Sequence, residues 1–272
     1  MKKDFGGILG FIFALLFIFG IAISEVLLEI STSIKSGLGD KVGPFIDIDS
    51  LVIVFGGSLS ALVINFKFED MKKFGTLLWQ SLTAPSEGEE AETIAQIVDL
   101  SQEARVNGLL ALESKIKKIE SDFMRNGLEM VVDGTDSDTI RESLENELAY
   151  IQKRHSKGQQ MFLQWGMFLP SFGMIGTLIG LVKMMGNLDG GMQAIGAGMS
   201  VALLTTFWGS LLANALALPL AGKLQIMSNE EVILKELMIE GILSIPKGEN
   251  PKVLKRYLDT FIPPKRRVEQ NG

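Results

Sequence analysis

Four apolar stretches divide the chain, at Phe5 to Ser24, Leu51 to Phe66, Met161 to Met185 and Ala194 to Ala221. A helix needs about 20 apolar residues to cross roughly 30 Å of hydrocarbon. The second stretch is shorter, and we expect its helix to begin near Phe45, directly after Pro44. The pattern therefore predicts four membrane-spanning helices.

The first apolar stretch follows Lys2 and Lys3 and superficially resembles a signal peptide. A signal peptide has a shorter apolar run that ends in a cleavage site of small residues. No clear cleavage motif precedes Glu25. We therefore expect a retained span.

The stretches predict an all-α integral membrane protein with a helical cytoplasmic domain between the second and third spans and a helical C-terminal tail. The predicted regions are a first-span region 1–29, a periplasmic loop 30–44, a second span 45–66, a cytoplasmic domain 67–160, a third span 161–185, a short periplasmic turn 186–193, a fourth span 194–221 and a cytoplasmic tail 222–272.

The sidedness follows from basic residues near the span ends, which accumulate on the cytoplasmic side of a membrane. One side of the predicted layout carries Lys2, Lys3, Lys67, Lys72, Lys73, Lys153, Arg154, Lys157 and Lys223. The opposite side has Lys35 and Lys41, and the short turn has no basic residue. Both termini and the large domain are therefore predicted to be cytoplasmic.

Apolar periodicity predicts helices in the cytoplasmic domain and the tail. One helix begins after Glu69 and Asp70, and a longer helical pattern is interrupted near Asn107 and Gly108. Asp136 or Ser137 can cap a further helix, which runs towards the third span. In the tail, helical patterns cover Glu231 to Leu243 and Pro251 to Phe261.

Composition narrows the function. The chain is 47% hydrophobic, with a mean hydropathy of +0.27, which exceeds what a soluble domain of this length needs. A net charge of -6 and the lack of a basic stripe argue against nucleic-acid binding. With no cysteine and His155 as the sole histidine, thiolate and multi-histidine metal sites are excluded. No acid, base and nucleophile cluster at a recognisable spacing, so we expect neither an enzyme nor a cofactor.

The middles of the apolar stretches contain no Asp, Glu, Lys, Arg or His. An ion that crosses a membrane needs groups that replace its water. If this chain handles ions, its essential carboxylate must therefore come from a partner. Thr177, Thr205 and Thr206 do place hydroxyls inside the third and fourth stretches. These hydroxyls either bond nearby carbonyls or hold a cation beside the carboxylate of a partner.

Small residues and prolines shape the predicted spans. Gly56, Gly57, Gly173, Gly176 and Gly180 permit close helix packing. Pro170 and Pro219 each free a backbone carbonyl and bend a helix. The bends are either static features or hinges.

Several motifs occur in the order seen in one family. They are Gly56-Gly57-Ser58, Ala104-Arg105 with Leu110-Ala111-Leu112-Glu113, Gly173 to Leu181, Ala202 to Thr206, and Gly248-Glu249-Asn250-Pro251. With the arrangement of two spans, a domain and two further spans, the chain resembles the MotA/PomA family of flagellar stator subunits, specifically its sodium-driven PomA-like branch. The resemblance covers nearly the whole chain.

The resemblance implies a bacterial inner-membrane ring of five copies around two copies of a single-span MotB/PomB-type partner. That partner would supply the ion-binding Asp, and inward cation flow would become torque on the rotor. Thr177 and Thr206, with the adjacent Thr205, would line the ion path, and Thr177 favours sodium over protons as the coupling ion. Pro170 and Pro219 would couple ion passage to movement.

The resemblance also implies that Arg105 and Glu113 face the rotor protein FliG through complementary charge. Val106 stands where relatives often have a second basic residue. Without the resemblance, Arg105 and Glu113 are equally consistent with a solvated helix face.

Two other functions stay open at this stage. A TolQ/ExbB-type energiser is a related ion-driven motor, typically with three spans. A stand-alone channel or transporter would need its own carboxylate or a broken-helix site.

Overall fold

The computed structural model describes residue 45, residues 47–81 and residues 89–262. The predicted first span, the periplasmic loop and the basic C-terminal end lie outside the described residues. All secondary structure within the described ranges is helical, which confirms the all-α class for this part of the chain.

The helices follow one another with short connections. They are α1 (Ile48–Leu51), a π-helical turn (Val52–Gly56), α2 (Gly57–Asn65), α3 (Phe68–Met71), α4 (Phe74–Ser81), α5 (Glu89–Asn107), a 3-10 turn (Leu109–Leu112), α6 (Glu113–Ile116), α7 (Asp122–Val132), α8 (Ser137–Gly186), a 3-10 turn (Leu188–Gly190), α9 (Gly191–Leu212), a π-helical turn (Ala213–Ala217), α10 (Leu218–Ser244), α11 (Pro251–Leu258) and a 3-10 turn (Asp259–Phe261).

Three helical segments among the described residues are long and apolar enough to cross a membrane. They are Ile48–Asn65, Ser137–Gly186 and Leu188–Ser244. The first segment lies within the predicted second span, 45–66, and the other two contain the predicted third and fourth spans, 161–185 and 194–221.

Helix α8 is 50 residues long and passes without interruption from the predicted cytoplasmic domain into the predicted third span. Of the two candidate caps, Asp136 is confirmed, because its Oδ1 accepts a hydrogen bond from the Thr139 backbone N–H at 2.9 Å. Its Oδ2 also accepts from the Thr139 hydroxyl at 2.6 Å. Pro170 lies inside this helix and does not end it.

The helix at the end of the fourth apolar stretch also continues beyond the predicted end of the span. Helix α10 passes residue 221 and ends at Ser244, so the predicted tail pattern from Glu231 to Leu243 continues the same helix. A π-helical turn, Ala213–Ala217, ends two residues before Pro219. Proline has no N–H and its ring crowds the carbonyl four residues earlier, and a π turn is one way for a helix to absorb that defect.

The chain divides into two compact units, Met1–Ala84 with Ser156–Gln225, and Pro85–His155 with Ile226–Gly272. In the first unit, the core joins α2, α8 and the π turn before α10 through Leu62, Phe162, Trp165 and Ala217. The Trp165 indole N–H donates to the Ser58 hydroxyl at 3.2 Å, which satisfies a polar pair inside this core.

The core of the second unit draws apolar side chains from α5, the 3-10 turn Leu109–Leu112, α6, α7, α8, α10 and α11. Fully buried members are Ile97, Leu112, Leu128, Ile140, Leu237, Ile242, Leu254 and Leu258. Arg141 of α8 pairs with Glu240 of α10 at 2.8 Å. This unit is therefore a helical domain with its own core, as the periodicity of the polar segment predicted.

The cap of α8 gives a pH-dependent prediction. Hydrogen bonds from the Thr139 hydroxyl and backbone hold the pKa of Asp136 below its usual value of 3.8. A carboxyl whose folded pKa is depressed stabilises the fold above its unfolded pKa, and this contribution is lost as the pH falls through the folded pKa. We expect Asp136→Ala to lower the melting temperature at pH 7, with the difference from wild type narrowing below about pH 4.

Asp136→Asn is the matched control, because asparagine also caps helices but does not titrate. Thermal melts followed by circular dichroism at several pH values measure both variants. If the difference in melting temperature between wild type and Asp136→Ala stays constant below about pH 4, the assignment of Asp136 as the ionised cap is contradicted.

Candidate functional site

A seam of small residues joins α8 to α9. A Cβ atom at Gly180 would lie 2.6 Å from the Ala202 backbone nitrogen and 2.6 Å from the Gly198 carbonyl oxygen. A Cβ atom at Gly173 would lie 3.0 Å from the Thr205 carbonyl oxygen. Only glycine permits backbones to approach this closely, so these residues set the distance between the two helices.

Gly57 also allows close packing, because a Cβ atom there would overlap the ring of Phe172. Gly56 differs, since a Cβ atom at this position would meet no atom of the described residues within 4 Å. The packing role of Gly56 therefore stays a prediction.

The seam brings two of the three predicted threonines together. The Thr177 and Thr206 hydroxyl oxygens lie 2.6 Å apart. The Thr177 hydroxyl is also 3.1 Å from the Gly173 carbonyl oxygen and 3.2 Å from that of Ala202, and the Thr206 hydroxyl is 3.3 Å from that of Ala202. The result is a cluster of neutral oxygens, the ligand type that hard cations such as sodium take in place of water.

The Thr177–Thr206 pair is accessible within the single chain. Thr206 is exposed and Thr177 is partly buried. Each hydroxyl oxygen has lone pairs in addition to its proton. The pair can therefore accept a hydrogen bond from, or coordinate, a group that approaches this face.

Thr205 lies apart from this pair. It is fully buried, and its hydroxyl donates within its own helix to the carbonyls of Val201 at 2.9 Å and Ala202 at 3.1 Å. A Cβ atom at Gly176 would overlap the Thr205 side chain. In this chain Thr205 therefore fills the seam, in the manner usual for a hydroxyl in a membrane helix.

Sequence reasoning missed two polar residues beside the pair. Ser210 and Asn214 follow Thr206 at four-residue intervals, and all three are exposed. The Asn214 amide donates to the Ser210 carbonyl at 2.9 Å, whereas its side-chain oxygen has no partner among the described residues. The four-residue spacing, a helical repeat, could have revealed this polar stripe.

The helix segments next to the two predicted coupling prolines, Pro170 and Pro219, lie close together. Pro170 cannot donate to the carbonyl of Gly166, four residues earlier in α8. A Cβ atom at Gly166 would lie 2.7 Å from Leu218 Cδ2, and Leu218 directly precedes Pro219. The segment that each proline perturbs therefore packs against the other.

Arg105 and Glu113 lie in the second unit, on either side of Gly108, whose φ of 83° forms a tight turn. Both side chains are exposed, and neither has an ion-pair partner among the described residues. Lys115, two residues after Glu113, differs, because Asp99 at 2.9 Å and Glu103 at 3.1 Å neutralise it. Two unpaired charges of opposite sign are thus available to a partner.

Apolar side chains accompany these two charges. Val106 is 74% exposed and Leu110 is 72% exposed.

Among the described residues, no group of three His, Cys, Asp or Glu side chains could hold a metal ion.

Comparison with known proteins gives consistent matches. Residues 115–237 match the model of the MotA/TolQ/ExbB proton channel family. The chain is 40% identical over 231 residues to Motility protein A of Borreliella burgdorferi, which covers 85% of this chain and 88% of that protein. It is 38% identical over 226 residues to Chemotaxis protein PomA of Vibrio alginolyticus, which covers 83% of this chain and 87% of that protein.

A solved structure gives the same result for the fold. The structure of C. jejuni MotAB contains a chain that matches with a TM-score of 0.83 and 28% sequence identity. The match covers 96% of each chain.

The seam predicts different effects for two Gly-to-Ala substitutions. Gly180→Ala should lower the melting temperature of the purified protein, because overpacking against backbone costs about 1–3 kcal/mol. Gly196→Ala is the matched control, since a Cβ atom there meets no atom of the described residues within 4 Å. Alanine in an open helical position gains about 0.5–1 kcal/mol over glycine, so the control should be neutral or stabilising. If both variants change the melting temperature equally, the close packing of α8 against α9 at Gly180 is contradicted.

Proposed function

The chain belongs to the MotA/TolQ/ExbB proton channel family, and we propose that it is the ring-forming stator subunit of a bacterial flagellar motor. It is an ion-channel family member that spans the membrane, and it is not an enzyme. The relatives named Motility protein A and PomA, matched over most of their length, support the motor function rather than another branch of the family.

The observation that carries the proposal is a cluster of hydroxyl oxygens without an acid. Thr177 and Thr206 form an accessible oxygen pair, and the predicted fourth span has no ionisable residue. The predicted third span has only Lys183, which lies near its outer end. A cation at this pair therefore needs a negative charge from another chain.

We assign that charge to the ion-binding Asp of a single-span MotB/PomB-type partner. Five copies of this chain would surround two copies of the partner. The structure of C. jejuni MotAB, matched over 96% of its chain, supports a partner of the MotB type, and the five-to-two ratio rests on the family resemblance.

The proposed topology has four spans, the first of them in residues 1–29. Both termini and the helical domain would face the cytoplasm of the bacterial cell. Support comes from the basic residues near the span ends, such as Lys67, Lys73 and Lys157, which would all lie on one side of the inner membrane.

The proposed mechanism begins when a cation from the periplasm reaches the partner's Asp beside Thr177 and Thr206. Neutralising this carboxylate lowers its cost in the membrane, and the ring can then step relative to the partner. Each elementary charge that crosses 100 mV supplies about 2.3 kcal/mol. Pro170 and Pro219 would convert this step into helix movement, supported by the contact between Gly166 and Leu218.

Sodium is the proposed coupling ion, in preference to the proton. A proton needs only a site that accepts it, whereas sodium must exchange its water for several oxygen ligands. The two hydroxyls and the carbonyls of Gly173 and Ala202 provide such ligands close together. Thr205 would support the site by packing, because its hydroxyl is buried.

Arg105 and Glu113 are the proposed contacts to the rotor protein FliG. Their exposed and unpaired charges favour a partner with complementary charges. The exposed Val106 and Leu110 side chains would add apolar contact between these charges.

The sodium assignment predicts the behaviour of isosteric valine variants. In a motile host that lacks its own stator, Thr177→Val or Thr206→Val should raise the sodium concentration for half-maximal swimming speed. We expect about a tenfold rise, which corresponds to about 1.4 kcal/mol for one lost contact to a charged group.

Thr205→Val is the matched control, because its hydroxyl bonds only its own helix. Its sodium response should match that of the wild type. If Thr177→Val and Thr206→Val also keep the wild-type response, the hydroxyl pair is not in the ion path. Efficient cation flux through this chain alone in liposomes would instead indicate a stand-alone channel.

The rotor assignment predicts a loss of torque without a loss of assembly. Arg105→Glu combined with Glu113→Lys should abolish most swimming, because like charges would then face each other at the contact. Complex formation with the MotB-type partner should be unchanged, as measured by co-purification. Glu142→Lys, an exposed charge reversal on α8, is the control and should swim normally. Normal motility of the double variant would remove Arg105 and Glu113 from the rotor contact.

A further inference from the structure

Trp79 of α4, in the first unit, has an exposed side chain. Its side chain is 61% exposed, and its indole N–H has no hydrogen-bond partner among the described residues. The other two tryptophans are different, because Trp165 is 2% exposed and the Trp208 indole donates to the Phe45 carbonyl at 2.8 Å. A large amphipathic ring with an open polar edge indicates a surface that is partly apolar and partly wet.

The segment around Trp79, residues 67–81, packs against α8. Phe74 stacks on Phe162 with ring centroids 4.6 Å apart, and it meets Trp165 edge to face at 5.4 Å. Asp70 pairs with Lys157 at 2.6 Å. Because the inner face is fixed by these contacts, the outward direction of Trp79 is a property of the fold.

These contacts also determine the depth of Trp79. Phe74 meets Phe162, at the start of the predicted third span, whereas a Cβ atom at Gly158 would lie 3.0 Å from Leu77 Cδ1. Helix α4 therefore runs antiparallel to α8, away from the hydrocarbon. At 1.5 Å per residue, Trp79 lies about 6–8 Å beyond the level of Phe162, and one head-group layer is about 5–8 Å thick.

The charge of the segment, and its position directly after a membrane span, indicate which surroundings it contacts. It directly follows the span Ile48–Asn65, whose last turn exposes Ile64 by 87%. Within the segment Lys67 and Lys73 are exposed, as is the acidic Glu69. Interfaces between protein subunits are depleted of lysine, whereas lysine and tryptophan together mark the cytoplasmic boundary of membrane proteins.

We propose that the segment 67–81 seats in the phosphate head-group layer of the inner leaflet, with Trp79 as its aromatic anchor and Lys67 and Lys73 on lipid phosphates. The anchor would hold the second span and α8 at a constant depth. It depends on the membrane location of the chain, and neither on the coupling ion nor on the rotor contact.

The first test measures the native side chain. The full chain, with its MotB-type partner, is placed in lipid nanodiscs, and the emission of Trp79 is obtained as the difference between wild type and Trp79→Phe. Lipids brominated high on the acyl chain should quench this difference signal more strongly than lipids brominated near the chain end. Quenching by aqueous iodide without quenching by brominated lipid would overturn the proposal, as would the absence of quenching by either.

The second test uses the lack of cysteine in the sequence, so that each introduced cysteine carries the sole spin label. Thr76→Cys, one turn before Trp79, reports the segment. Ile64→Cys is the hydrocarbon reference and Val106→Cys, 74% exposed, is the aqueous reference. The ratio of oxygen to nickel-chelate accessibility at residue 76 should lie between the two references.

A label at residue 76 as accessible to the nickel chelate as that at Val106 would overturn the proposal. A label shielded from both reagents would also overturn it, because a neighbouring copy would then cover the segment. Neither test involves sodium or a rotor, so this inference can fail while the motor function stands, and the reverse also holds.

Discussion

The structure of the first unit depends on the close approach of α8 and α9. Lipid gives no hydrophobic drive for helices to associate, so packing must come from van der Waals contact and from hydrogen bonds between helices. Gly173, Gly176 and Gly180 remove the side chains that would separate the backbones. The same approach brings the Thr177 and Thr206 hydroxyls to 2.6 Å. Packing and the candidate ion site are thus one feature.

The neutrality of this site has a physical reason under the proposed function. A carboxylate held permanently in every copy of a ring would cost each copy its desolvation. Hydroxyls such as those of Thr177 and Thr206 bond nearby carbonyls when no ion is present, and so are satisfied in both states. Placing the charge on a partner confines the costly group to the positions where it acts.

The apolar segments, the helical domain and a helix cap at Asp136 or Ser137 were predictable from the sequence because these depend on local pattern, and the structure selects Asp136. It could not separate Thr205 from Thr206. Adjacent residues on a helix point about 100° apart, so one is buried while the other is exposed, and only the position of the neighbouring helix decides which. The π turn at Ala213–Ala217 was missed for a related reason, since Pro219 predicts a defect without saying how the helix absorbs it.

The two prolines are best understood together. Pro170 frees the carbonyl of Gly166, and Gly166 packs against Leu218, which directly precedes Pro219. A change of bend at either proline must therefore displace the segment that the other has already weakened, because packed interiors transmit displacement. Thr177 lies seven residues after Pro170 on α8, and Thr206 precedes the π turn on α9. A change in the bends would alter the geometry of the hydroxyl pair, which gives a physical route between ion binding and helix movement.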